Sequence, residues 1–156
     1  MRFEVVEAKV WHCGAIVRRL RHEHASAMVM LGLSSHHNIR AVFDDSSFRR
    51  AWLVDGKLAG LGGVTGPMIA TDGLIWLALT EDAARYRVAA AREATRQLAQ
   101  IMTTKHRLHT TLIPEDRTAL RFATRLGFEV DHFNPIPAGN GRVLSVSITR
   151  RALLAA

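Results

Sequence analysis

Between Trp76 and Ala99 the chain reads WLALTEDAARYRVAAAREATRQLA. An apolar, strand-like run gives way here to an amphipathic helix, and the amides of Val88 to Ala91 open that helix without carbonyl partners inside it. Amides in that position lie at the positive end of the helix dipole and bind anions, phosphate above all. Arg85 and Arg87 stand beside them and can add charge-assisted hydrogen bonds to phosphate oxygens. Phosphate-binding turns of this kind usually contain glycine, which lets the backbone approach the oxygens closely. This turn has none, and β-branched Val88 crowds the approach. A second arginine row, Arg117, Arg121 and Arg125, falls on one face of a later helix.

The other chemically versatile side chains read differently. His22, His24, His36 and His37 have no cysteine or carboxylate cluster beside them, so no metal site is expected. His24 shares the apolar stripe of the first helical segment with Cys13, and both read as core residues, the cysteine as a small hydrophobe. Trp52 and Trp76 read as core residues on adjacent strands.

The composition bounds what these residues can serve. A chain of 156 residues, 48% apolar and 22% charged, is expected to form a single domain over residues 1–156. Its single cysteine excludes an intramolecular disulfide, and its first residues, MRFEVVEAKV, lack the apolar region of a secretory signal. A cytoplasmic setting is the expectation. No apolar run approaches the ~20 residues of a membrane-spanning helix, so no membrane partner is expected. The net charge of +7, carried mostly by arginine, suits a nucleotide cofactor, a nucleic acid or an acidic protein surface. Aromatics at 6% and the lack of a recognition motif argue against nucleic acid.

The elements that must position these residues follow from periodicity. Phe3 to Val10 alternates as a strand, and apolar residues from Cys13 to Leu31 recur at helical spacing, as one long helix or two short ones, with Gly32 as the stop. Ser34 to Asn38 reads as a loop with an N-cap, and Ile39 to Phe43 as a short helix ending near Asp44 to Ser47. In AWLVDGKLAGLGGV, Asp55-Gly56 marks a tight hairpin turn whose second strand reaches about Val64. A wider turn through Thr71, Asp72 and Gly73 leads into the strand Leu74 to Leu79. The helix of the opening quotation follows, then the strand HRLHTTLI, interrupted by Pro114. Asp116 caps a further helix that Gly127 ends. Phe128 to Phe133 and Val143 to Ile148 are the last strands. The order defines an α/β fold, a mixed sheet covered by helices.

This order, together with RTALRFATRLGFEV, resembles the GNAT superfamily of acyl-CoA N-acyltransferases over most of the chain. Asp116, Ala119, Phe122 with Ala123, and Gly127 with Phe128 stand where GNAT proteins commonly show an asparagine, an alanine, an aromatic or aliphatic pair and a closing Gly-Phe. Within the superfamily the arginine-rich VRRLRHEHASAMVMLGL, the hairpin AWLVDGKLAG and the strand LIWLAL look most similar to GNAT-like proteins of tailed phages and prophages.

The resemblance implies a mostly antiparallel sheet in which Leu74 to Leu79 splays from a parallel neighbour, His109 to Ile113. It implies acetyl-CoA as cofactor, its pantetheine arm entering the gap beside Ala78 and Leu79. The pyrophosphate would rest on the next helix, where Arg85, Val88 and Ala90, or further on Arg87, Ala90 and Arg92, stand in place of Q/R-x-x-G-x-G/A, with Ala89 among them and the central glycine absent. Asp116 and Arg121 border the groove implied for the rest of the cofactor. The reaction would be acetyl transfer to an unidentified amine, with Glu81 as base and Asp82 and His109 as alternatives. A tyrosine four residues before the closing glycine serves many GNAT enzymes as general acid; here Ala123 stands there, and water or Thr124 would have to substitute. The alternative implied is a non-catalytic, virion-associated phage structural or assembly protein that binds a virion or host protein through its basic surface.

Overall fold

In the computed structural model, which describes residues 1–155, one eight-stranded sheet runs through the chain in the order β1-β2-β3-β4-β5-β8-β6, with β7 also pairing β8. Strand β1 (Phe3–Glu7) is followed by helices α1 (Trp11–Arg18), α2 (His22–Met30) and α3 (Ser35–Asp45), then by the meander β2 (Ser46–Val54), β3 (Lys57–Thr65) and β4 (Asp72–Leu79). A 3-10 helix, Glu81–Tyr86, leads into α4 (Arg87–Ile101). The chain closes with β5 (Arg107–Leu112), α5 (Arg117–Leu126), β6 (Glu129–Val130), β7 (Ile136–Ala138), β8 (Gly141–Thr149) and α6 (Arg150–Ala155).

Local chemistry sets several of these boundaries as the residues suggest. Asp55 and Gly56 both take positive φ, 50° and 80°, the conformation a two-residue hairpin requires. Asp116 accepts a hydrogen bond from the Ala119 amide at 3.1 Å and so caps α5, while Gly127 ends that helix at φ 101°. Ser34 caps α3 through the His37 amide; that helix is a full turn longer at its start than the expected Ile39 to Phe43.

Elsewhere the structure departs from the periodicity. The first strand stops at Glu7, because Lys9 and Val10 already turn into α1, with the His12 ring accepting from the Lys9 amide. The helical stretch from Cys13 to Leu31 is two helices, because Arg19 to Arg21 leaves the helix to pair with the end of β4. The strand expected over Phe128 to Phe133 shrinks to Glu129–Val130: the Asp131 carboxylate accepts from the amides of Phe133 and Asn134 and pulls the chain into a turn. Strand β7 forms in the proline-containing stretch between the last two expected strands: Pro137 lies opposite Arg142 on an edge strand, where a missing amide costs little. Trp52 and Trp76 lie on β2 and β4, which are not adjacent: β3 separates them. His24, expected in the core, is only partly buried.

Two apolar layers flank the sheet. On one face Cys13, Ile16 and Leu20 of the α1 region and Ile39 and Phe43 of α3 pack on Ala51, Leu61 and Ala78. On the other, Leu98, Ile101 and Ala123 of α4 and α5 pack on Val64, Leu108, Val146 and Ile148. Between β4 and β5 the pairing is parallel and brief: Asp72 with Arg107, Gly73 with Leu108, Leu74 with His109. On its other side, at Gly73, β4 packs closely on β3, where an added Cβ would sit 2.5 Å from a Val64 methyl. Beyond Leu74, β4 and β5 part.

Candidate functional site

The gap between β4 and β5 is lined by backbone. Ala78 pairs with Leu61 of β3, and the Thr80 amide donates to Ala59 at 3.0 Å. Strand alternation then turns the backbone groups of Leu77 and Leu79 towards β5, which no longer meets them. From Leu74 to Leu79 this leaves an edge of about 16 Å at ~3.3 Å per residue. The Leu79 carbonyl accepts from the Arg21 amide at 2.9 Å. The Leu77 groups and the Leu79 amide remain as the donors and acceptor of the gap. Ala78, singled out in the sequence beside Leu79, has its side chain fully buried.

At the open end the Arg19–Arg21 segment lies against β4: the Glu81 amide donates to Arg19 at 3.2 Å, and Leu20 bridges Thr80. The Arg21 guanidinium then reaches across to Asp116, with donor distances of 3.1 and 2.6 Å. A bidentate ion pair thus ties the end of β4 to the start of α5. Burial on its own would raise the Asp116 pKa, but the hydrogen bonds and charge of Arg21, with the Ala119 amide, outweigh it and hold the carboxyl below its ordinary value. Beside the pair, burial pushes the His24 imidazole below its ordinary pKa, and the positive charge of Arg21 adds to the effect.

Glu81 and Asp82 sit just past the end of β4, as their positions suggest, but each carboxylate has a partner. Glu81 Oε1 accepts from the His22 amide at 2.8 Å and thereby caps α2. Asp82 pairs with Arg19 at 2.6 Å. His109 lies at the root of the gap, far from both along the strands: it is the last β5 residue paired with β4.

The start of α4 has no side-chain cap, so its first-turn amides are left to solvent or to a ligand. Arg87, Val88, Ala91, Arg92, Thr95 and Arg125 line a shallow cavity of about 410 Å³ there. Arg85, Arg117 and Arg121 are exposed and lie outside this lining. Ala90 is buried and Ala89 partly so, which leaves their backbone as what the surface can use. Sequence reasoning placed Arg125 on the charged stripe and favoured Arg121 as the contact. Of that stripe it is Arg125 that lines the cavity, and helix periodicity cannot say which residue of a stripe a neighbouring helix will meet. Ala123, where the resemblance would put a general acid, is 9% exposed and packs in the α4–α5 layer, so a tyrosine there would overfill the core. The Thr124 hydroxyl donates to the Leu120 carbonyl of its own helix at 2.8 Å.

No protein-family model matches the chain, and no curated protein matches it in sequence. Solved structures do match its fold. The spermidine N-acetyltransferase from Vibrio cholerae, in complex with CoA and spermine, superposes with a TM-score of 0.69 at 12% identity, covering 97% of this chain and 98% of that one. AAC(6')-Ib in complex with ribostamycin and coenzyme A gives 0.71 at 11% identity, covering 99% and 97%. A ribosomal-protein-alanine N-acetyltransferase from Escherichia coli gives 0.67 at 12%, covering 95% and 94%. The chain therefore has the GNAT fold, an eight-stranded, mostly antiparallel sheet with one parallel, splayed pair. The likeness to phage and prophage proteins finds no support among these three. Among the described residues no helix is long and apolar enough to cross a membrane, and no His, Cys, Asp or Glu group could hold a metal ion.

Proposed function

We propose that this protein is an acyl-CoA-dependent N-acyltransferase that moves an acetyl group from acetyl-CoA to a cationic amine. The observation that carries the reading is the gap between β4 and β5, whose unpaired edge at Leu77 and Leu79 leads to the uncapped start of α4. The residues fit the donor. Amides of the first turn of α4, with Arg87, Arg92 and Arg125 around the cavity, suit a pyrophosphate. The edge of β4 suits an extended chain carrying amides, which it can pair as a strand would. Acetyl-CoA, when bound, supplies the activated acyl group, and the protein's part is to orient it and admit the amine. Val88 in place of a glycine makes this phosphate site a weaker form of the usual one, since its Cβ crowds the backbone.

The α4–α5 layer closes one face of the gap, so the amine enters from the face of α1 and α2. Three carboxylates, Asp116, Glu23 and Glu81, surround the single Arg21 guanidinium on that side. Asp116 is committed to Arg21, whereas Glu23 and Glu81 are exposed. They give a local excess of negative charge on a chain of net +7 and attract an ammonium group. With one oxygen engaged by the His22 amide, Glu81 serves here in recognition and not as the base first expected. The test is acetyl transfer to a panel of amines. Glu81→Gln is expected to raise KM for a dicationic amine while leaving kcat within about threefold, as loss of uniform binding does; a collapse of kcat instead would return Glu81 to the role of base.

Ala123 and Val88 favour one other reading, a non-catalytic GNAT-fold protein that binds a macromolecular partner, such as a phage assembly component. Transfer to no amine, together with no acetyl-CoA binding, is the outcome that selects it.

A further inference from the structure

His109 stands at an unusual place for a polar ring. Its strand partners Leu74 and Ser147 put its side chain on the face of the sheet opposite α4 and α5, at the point where β4 and β5 separate. Among the described residues only two buried side-chain atoms lack a hydrogen-bond partner, Thr80 Oγ1 and His109 Nδ1. Thr80 is almost wholly enclosed, at 1% exposure, on the strand face that carries the Leu20 and Ala78 core. His109 is partly exposed, so with Nδ1 enclosed the nitrogen left open to solvent is Nε2. A buried N–H without an acceptor is the rarer and costlier defect, whereas an acceptor without a donor is better tolerated. In the neutral ring the proton therefore belongs on Nε2, and Nδ1 keeps a buried lone pair.

We propose that His109 is a catalytic residue that acts as a hydrogen-bond donor, its Nε2–H holding the acyl oxygen of acetyl-CoA at the root of the gap. This rests on the acyltransferase reading above. A donor molecule anchored at the start of α4 and laid along β4 from Leu79 inwards brings its acyl end to Leu74, where the strands rejoin and His109 stands. The amine arrives on the face that His109 occupies. The ammonium first gives one proton to water; as its neutral nitrogen then attacks the acyl carbon, the C–N bond forms and the C–S bond breaks. One amine proton ends on the departing sulfur, and negative charge that gathers on the acyl oxygen is met by the Nε2–H. An acceptor Nε2 would instead repel that oxygen and would need a buried, unpaired N–H on the far side of the ring.

Three substitutions separate the possibilities, because glutamine mimics the Nε2–H donor, asparagine places its amide where Nδ1 lies, and alanine has neither. His109→Ala is expected to lose about 10- to 100-fold in kcat, less than the ~10²–10³ of a fully enclosed oxyanion donor. His109→Gln is expected to recover most of that rate and His109→Asn little of it. By calorimetry, His109→Ala should narrow the difference in affinity between acetyl-CoA and CoA without weakening CoA itself, which also shows that the variant is folded. In the free protein, nitrogen-15 NMR of the histidine rings should show the Nε2–H tautomer for His109. The proposal is overturned by an Nδ1–H tautomer, by His109→Gln as slow as His109→Ala, or by His109→Ala as fast as the unmodified protein. If the unmodified protein binds no acetyl-CoA, the acyltransferase reading fails and this proposal with it; normal binding and turnover in His109→Ala removes the proposal alone.

Discussion

Asp116 is the residue on which most local structure converges. Its carboxylate caps α5 through the Ala119 amide and holds both donors of Arg21, with only 6% of its side chain exposed against 18% for Arg21. Asp116→Asn keeps a capping oxygen but leaves the guanidinium without its charge partner. Breaking a fully buried pair costs about 3–5 kcal/mol; with Arg21 still in partial contact with water, a loss of about 2–3 kcal/mol is expected by urea denaturation. Because the folded-state pKa of Asp116 is depressed, its contribution is present above the unfolded value of 3.8 and is lost as pH falls through the lower folded value. His24 has the opposite sign. Its folded pKa lies below 6.5, so as pH falls through 6.5 the unfolded chain takes up a proton that the native ring refuses, and stability declines. His24→Gln is expected to flatten the stability curve between pH 7 and the acid side of 6, relative to the unmodified protein. An equal slope in both would show that His24 titrates alike in the two states.

At the scale of elements, the junction of β4 with α4 decides how well a phosphate is held. Val88 is 62% exposed at the first turn, so nothing in the fold requires its side chain. Val88→Gly is expected to tighten acetyl-CoA binding several-fold and, because glycine is a somewhat poorer helix residue than valine, to lower stability by less than about 0.5 kcal/mol. Affinity by calorimetry and melting by circular dichroism check the two halves separately. The elements with strong local chemistry were legible in the sequence: the Asp55-Gly56 hairpin, α5 between Asp116 and Gly127, and the strand Leu74 to Leu79. Those that depend on partners far along the chain were not. Arg19 to Arg21 leaves its helix because β4 offers an unpaired edge, and no local pattern signals that. Strand β6 is cut short by the Asp131 side chain, and β7 exists only because β8 lies beside it. The same limit explains the site. Position alone suggested Glu81 as base, yet its carboxylate turns back to α2; His109 was noticed, but its orphaned nitrogen needs three-dimensional packing to be seen.

Over the whole molecule, the fold follows from the order of elements, since a strand, helices, an antiparallel meander and a crossover helix leave few ways to complete a mixed sheet. The splay is a property of the sheet as a whole: β5 is drawn to β8 by pairing along its full length, Arg107 to Leu112, while it meets β4 only at Asp72 to Leu74. The positive charge is likewise a global feature put to local use, since Arg87, Arg92 and Arg125 gather at the uncapped start of α4. Calorimetric titration with acetyl-CoA tests this arrangement most directly. The account expects saturable binding that weakens as salt is raised and falls at least tenfold when Arg87 and Arg125 are both replaced by alanine. No heat and no thermal stabilisation at millimolar acetyl-CoA, or binding indifferent to both salt and those two arginines, would contradict it.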